Sequence, residues 1–296
     1  MSLLPLCKRS PPPEESNRNL GFEVSDCSPE CEEFSSKYPA SVKFNDYDNS
    51  RLYGNTKLYG LHTVVATNKS DWNHDATLIE GTLIHAVEKW VSNSSFAGLG
   101  ESATVKVSFE ANTEYQKERR GNVLLLPFFM WVRNLSLENA APVLSRVVED
   151  LVRLRNAGSS DFPLGTYTEY PEVRVEAENS RAYVFICSHK TRDKRCGIIA
   201  LIMKKEFELN LHELGLHRDM SDDQPGGFRV TFINHVGGHK FAANVIIYLR
   251  ASGKSVWLAR RRPNNVAPIV EEFIVNDGRV WPDYVRQVQK FKPIEW

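Results

Sequence analysis

Hydrophobic periodicity divides the chain into an aperiodic start and two patterned blocks. Residues 1–55 are rich in Ser, Pro, Asn and Asp and carry no sustained repeat, which predicts a largely irregular segment. Within it Pro11 to Pro13 oppose an amphipathic helix, so the first residues read as a disordered tail. The first block opens with "LHTVVAT" (61–67), a strand by its β-branched content. "GTLIHAVEKWVSN" (81–93) places Leu83, Val87, Trp90 and Val91 at helical spacing. "ATVKVSFEA" (103–111) alternates as a strand does, "NVLLLPFFMWVRNL" (122–135) reads as a buried strand interrupted by Pro127, and "AAPVLSRVVEDLVRLRNA" (140–157) is an amphipathic helix. A linker containing Gly158, Ser159, Ser160, Pro163 and Gly165 follows.

The second block begins with the strand "RAYVFICS" (181–188), then the loop "HKTRDKRCG", then a helix from about Ile198 to Leu214. "FRVTFIN" (228–234) is a strand, "HKFAAN" can form a short helix, and "VIIYLRA" and "SVWLARRR" form a hairpin around Ser252-Gly253-Lys254. "VAPIVEEFIVNDG" closes as a helix with Gly278 at its stop. Strand, helix, strand, hairpin and helix is the order of a thioredoxin-like domain, and the first block follows nearly the same order. "ATNKSDWNHDA" (66–76) sits where "CSHKTRDKRCG" (187–197) sits in the second block. The expectation is an α/β protein of two thioredoxin-like domains, the first degenerate: an irregular segment over 1–55, one domain over 56–165 and the other over 166–296.

Composition narrows the function classes. The 296 residues are 42% hydrophobic and 25% charged, with 37 basic against 37 acidic side chains, so bulk charge offers no attraction to nucleic acid or an anionic membrane. No stretch approaches 18 apolar residues, and the start is neither a signal peptide nor a basic presequence; a cytosolic or nuclear protein without membrane contact is expected. Five cysteines (Cys7, Cys27, Cys31, Cys187 and Cys196) are an odd number and do not make a secreted disulfide framework. No phosphate loop or nucleophile elbow is visible, and an electron carrier is expected rather than a stand-alone enzyme.

Four side chains carry the chemistry. Cys187 ends a strand, Cys196 lies at a helix start, and His235 and His239 flank two glycines in "HVGGH" just past another strand. All four fall in loops or helix starts, which can converge at one end of a sheet. Two thiolates and two imidazoles suit zinc in kind, but structural zinc sites pair cysteines two to four residues apart and these are separated by eight. A diiron cluster is larger and suits a wider loop. "CSHKTRDKRCG" followed by "HVGGHKFAANVIIYL" resembles the sucrase/ferredoxin-like family, especially its fungal branch, closely over about 181–262; "YPASVKFN" and "YGLHTVVATNKSDW" resemble it less specifically. The resemblance implies a thioredoxin-like [2Fe–2S] ferredoxin domain, a cluster held by Cys187, Cys196, His235 and His239 with both histidines on one iron, and no ligand at His189. An iron-bound imidazole keeps a second nitrogen for a proton, so electron uptake would couple to proton uptake. The resemblance also implies a link to actin-patch distribution and to redox or metal stress.

Other features are weaker. Ile294-Glu295-Trp296 resembles the aliphatic–acidic–aromatic terminus recognised by the cytosolic iron–sulfur assembly targeting complex; the alternative is a terminal Trp folded back on the domain. Lys190, Arg192, Lys194 and Arg195 around the proposed cluster, and Arg260 to Arg262, can dock an acidic redox partner, with a flavoprotein reductase as the expected electron donor, or can be solvated loops. Cys27 and Cys31 form C-x₃-C, a redox pair, a second metal site or two unrelated thiols. Two rival functions therefore stay open: a zinc-stabilised binding module on the same four ligands, and a thiol–disulfide oxidoreductase using Cys27 and Cys31.

Overall fold

A computed structural model describes residues 13–32, 39, 52–75, 77–95, 99, 104–108, 119–162, 165–167, 169–219, 222, 224–236 and 238–296. Its strands are β1 (Glu23–Val24), β2 (His62–Ala66), β3 (Thr104–Ser108), β4 (Gly121–Leu126), β5 (Met130–Leu135), β6 (Gly165–Tyr167), β7 (Tyr170–Ala177), β8 (Ala182–Cys187), β9 (Phe228–Ile233), β10 (Val245–Leu249), β11 (Lys254–Leu258), β12 (Arg279–Val280) and β13 (Val285–Lys290). Its helices are α1 (Pro13–Asn19), α2 (Leu83–Asn93), α3 (Ala140–Ala157), α4 (Lys194–Glu213) and α5 (266–275), the last wound as a π-helix over Ile269–Val275.

Eleven strands form one continuous sheet in the order β13-β11-β10-β8-β9-β3-β2-β4-β5-β7-β6. The same pairing scheme occurs twice. β8 runs parallel to β9 and antiparallel to β10, which pairs antiparallel with β11, which pairs antiparallel with β13. β2 likewise runs parallel to β3 and antiparallel to β4, which pairs with β5, which pairs with β7, each antiparallel. This is the α/β arrangement of a thioredoxin-like fold. The two schemes meet where Ser108, ending β3, pairs antiparallel with Ile233, ending β9. The C-terminal ends of both parallel strand pairs therefore meet in the middle of the molecule.

Side-chain alternation sorts the core, because successive strand residues point to opposite faces. On β8, Ala182, Val184 and Ile186 pack under α4 and α5 with Met203, Phe207 and Phe273. Tyr183, Phe185 and Cys187 point the other way, into a cluster shared with Val64, Leu124, Leu126 and Trp131 of the first half. On β4 the same switch sends Val123 and Leu125 under α2 and α3. Each half thus buries one sheet face under its own helices, and the other faces share a single apolar core.

Several boundaries follow their local signals. α3 covers the predicted residues and stops at Gly158, whose φ of +67° is the left-handed C-cap conformation that glycine takes without strain. α4 begins four residues before Ile198, because the Asp193 carboxylate accepts from the Arg195 N–H and caps it. The single strand expected over 122–135 is two, β4 and β5, reversed by a turn at 127–129 in which Phe129 has a φ of +53°. The N-terminal expectation needs correction. Pro13 opens α1, a position that needs no N–H, and Phe22 lies in the second-half core with β1 paired to β12. Residues 1–12, including Cys7, lie outside the described residues.

Candidate metal centre

β8 and β9 lie side by side with Cys187 paired to Ile233, so whatever follows each strand emerges at the same edge. Cys187 closes β8, His235 stands two residues past β9, and Cys196 sits in the first turn of α4, which returns over that edge. The Cys187 Sγ, Cys196 Sγ and His235 Nδ1 atoms all fall within 4.8 Å of one another. His235 Nδ1 is 3.7 Å from Cys187 Sγ and 3.9 Å from Cys196 Sγ. Both thiols are fully buried and His235 is half-buried, with its Nε2 atom shielded from solvent. The His239 side chain lies outside the described residues; its backbone starts a 3-10 turn, His239–Phe241.

The three donors could hold a metal ion. Burial pushes the Cys187 thiol up, but hydrogen bonds from the Cys196 thiol and from His235 outweigh it and bring it down to about 5. Cys196 is driven the other way, first by donating its proton to Cys187 and then by its own burial. One thiolate and one thiol sharing a proton is the electronic arrangement that a cation replaces, since metal ligation takes the thiolate.

His189, a neighbour that could have substituted for a ligand, is committed elsewhere. Its Nε2–H donates to the Trp72 carbonyl at 2.8 Å, and its Nδ1 accepts the His235 N–H at 3.2 Å. A carbonyl only accepts and an amide N–H only donates, so the ring is fixed as the neutral Nε2–H tautomer with no nitrogen left for a metal. Its pKa is lowered, chiefly by burial, in keeping with that form. His189 therefore orients the backbone that carries His235.

Loops from both halves build the rim. Ser188 Oγ donates to Ser70 O, and both Asp71 carboxylate oxygens accept from Thr191, one from its N–H and one from its hydroxyl. Gly197 is needed because a Cβ there would fall 2.4 Å from the Lys190 Cβ. On the other side Arg286 is buried with its guanidinium 4.2 Å from the Phe241 ring and 4.8 Å from the Trp257 ring. It donates to Val236 O and Asn244 Oδ1, bracing both ends of the histidine loop, and burial lowers its pKa to about 10. Sequence reading passed over Trp72, Asp71 and Arg286: none repeats a ligand spacing, and each acts through a contact more than 40 residues away.

The cationic loop is only partly available to a partner. Arg192 pairs with Asp75 at 2.7 Å and Arg195 with Asp193 at 3.0 Å, while Lys190 and Lys194 are exposed. Arg261 is buried against the Tyr284 ring, 3.5 Å from its centroid, so the Arg260–Arg262 run is in part structural. Cys27 is exposed and Cys31 half-buried; neither belongs to the Cys187, Cys196 and His235 group. The C-terminus folds back: Ile294 is buried with the first-half core, and Trp296 donates Nε1–H to Phe128 O at 2.8 Å and packs edge-on against Phe162.

No helix among the described residues is long and apolar enough to cross a membrane. No solved structure matches the chain. Among curated proteins, the chain is 37% identical over 278 residues to the Actin patches distal protein 1 of Saccharomyces cerevisiae, covering 90% of this chain and 86% of that one. Shorter matches include the Altered inheritance of mitochondria protein 32 of Clavispora lusitaniae, 36% identical over 121 residues (41% of this chain, 40% of that one). The protein of the same name from Debaryomyces hansenii is 35% identical over 101 residues, 34% of this chain and 33% of that one. The family model for sucrase/ferredoxin-like proteins matches residues 52–287, and with the near full-length relative this makes the chain a member of the sucrase/ferredoxin-like family.

Proposed function

We propose that this protein is an electron carrier whose centre is a [2Fe–2S] cluster held by Cys187, Cys196, His235 and His239. The observation that carries this reading is the convergence of two buried thiols and one imidazole within 4.8 Å at the joined ends of β8 and β9. In kind the donors fit: soft thiolates with imidazole are ligands for iron–sulfur centres, and imidazole replacing thiolate raises the potential. The cluster would supply a site that accepts and releases one electron. The chain's own residues would do the rest. β8 and α4 exclude water from the two cysteine sulfurs, His189 fixes the histidine loop by its backbone, and Arg286 braces that loop from the buried side. Half-buried His235, the least buried of the three converging donors, would be the route for electrons to the surface.

One observation favours a second reading. Sulfur–nitrogen separations of 3.7 and 3.9 Å are those of donors around a single ion, as in a tetrahedral zinc site. A zinc-stabilised binding module on the same residues is therefore the alternative. The remaining expectations go with the redox reading: a flavoprotein reductase as electron donor near Lys190 and Lys194, cytosolic residence, and the relative's actin-patch association. Capture of Ile294-Glu295-Trp296 by the iron–sulfur assembly machinery would also require the tail to leave its seat on Phe128 and Phe162.

The deciding experiment is metal and acid-labile sulfide analysis of the purified protein, with an electron paramagnetic resonance spectrum after reduction. The redox reading expects two irons and two sulfides per chain, a reddish-brown colour and a paramagnetic reduced state, all lost in Cys187→Ser. A colourless protein holding one zinc per chain would establish the alternative instead.

A further inference from the structure

The first half carries the counterpart of the candidate metal centre, with an alanine at the position of one cysteine and a cleft above it. Thr67 N–H donates to Ser108 O just past the β2–β3 pair, as Ser188 N–H donates to Ile233 O just past β8–β9. By that register Ala66 stands where Cys187 stands. A methyl cannot hold a metal, and the space above it is an open cleft of about 430 Å³. That volume lies within the roughly 300–1,000 Å³ of small-molecule sites.

The lining has two parts. Val65, Trp72, Ile79, Leu83 and Ile84 make an apolar floor and wall. Lys69, Arg119 and Arg120 contribute three cations. Among the described lining residues one, Asp71, is acidic, and both its oxygens already accept from Thr191. Glu138, outside the lining, faces both arginines and offsets part of their charge. The described rim carries three cations to one carboxylate over an apolar floor, which suits a ligand with a flat or ring-sized apolar body and one anionic group, whose charge the rim would hold by charge-assisted hydrogen bonds.

We infer that this cleft is a binding site for a small organic anion, a carboxylate, sulfonate or phosphate ester on an apolar body. The site also touches the metal centre. Trp72 lines the cleft and its carbonyl accepts from His189, whose other nitrogen accepts the His235 N–H. Two hydrogen bonds connect the cleft wall to the backbone of a proposed ligand. The inference goes beyond the redox reading and holds whatever metal the centre carries.

The test is equilibrium dialysis of the full-length protein with naphthalene-1-sulfonate and with its uncharged analogue, naphthalene-1-sulfonamide. The sulfonate is expected to bind one per chain and at least tenfold more tightly than the sulfonamide. Lys69→Glu with Arg119→Glu, at two exposed side chains, is expected to abolish that preference. Equal affinity for the two probes, absence of saturable sulfonate binding, or a preference that survives the double reversal would each overturn the assignment. Iron content is not part of the readout, so a colourless, zinc-loaded preparation tests the cleft equally well.

Discussion

His189 lies two positions after Cys187 and next to His235, yet its ring nitrogens are both taken, by Trp72 O and by the His235 N–H. It is a positioning residue, and its loss should loosen the centre without removing a donor. Replacements of residues that orient a ligand typically lower metal affinity about 10–100-fold. His189→Ala is therefore expected to weaken metal retention in a chelator competition by that order, whereas Cys196→Ala should abolish it. Equal loss in both variants would make His189 a ligand; no loss in His189→Ala would remove it from the centre's support. The convergence of the two cysteines and His235 was legible in the sequence because few residue types offer sulfur or imidazole donors, and strand ends restrict where such residues stand. The role of His189 was not, because an imidazole's partners are a backbone carbonyl and an amide supplied by segments distant in sequence, and those leave no residue-type signature. Arg286 is the harder case. In "YVRQVQK" nothing marks it as buried, and only the fold places Phe241 and Trp257 against its guanidinium.

The strands β5, β7 and β8 meet at one buried carboxylate. Glu178 follows β7; its oxygens accept from Trp131 of β5, Tyr183 of β8 and Ser180, and its N–H donates to Phe129 O. Arg229 of β9 approaches it at 3.8 Å. Burial alone would raise its pKa, but the hydrogen bonds from Tyr183, Trp131 and Ser180 outweigh this and lower it. A depressed folded-state pKa gives stability that is fully present above the unfolded value of about 4.3 and is lost as pH falls through the folded value. Glu178→Gln should therefore be less stable than the parent by about 2 kcal/mol at pH 7, since it exchanges charge-assisted bonds for neutral ones. The gap should close as pH falls below 4. Thermal melts of the two proteins from pH 7 to pH 3 read this directly, and parallel curves would show that Glu178 is not ionised in the fold. At this scale the sequence was informative where one element satisfies itself. The periodicity of 140–157 and Gly158 marked α3, and Ser252-Gly253-Lys254 marked the β10–β11 hairpin. It was silent for β7 and β13, whose outer positions mix charged and β-branched residues and whose partners are supplied from other parts of the chain.

The two halves share a sheet, a core and the chain's last residues. After β13 the chain leaves one edge of the second half and seats Ile294 and Trp296 on the first half, against Phe128 and Phe162. That seat is a further tie between the halves, beside the Ser108–Ile233 pairing, the hydrogen bonds of the rim loops and the common cluster around Leu124, Phe185 and Tyr248. A linkage of this extent argues against independent unfolding of the halves. Truncation after Pro293 removes a buried Ile side chain, an aromatic contact and one hydrogen bond. Large-to-small changes of this kind cost about 2–4 kcal/mol, and the melting midpoint should fall by about 5 °C. The loss should appear as one shifted transition, with faster amide exchange in α3 and β4, where the seat lies. Two separate transitions in the parent would refute the shared-core account. An unchanged midpoint in the truncated protein would instead show that the tail rests on the first half without stabilising it, leaving it available for capture by a partner at little cost.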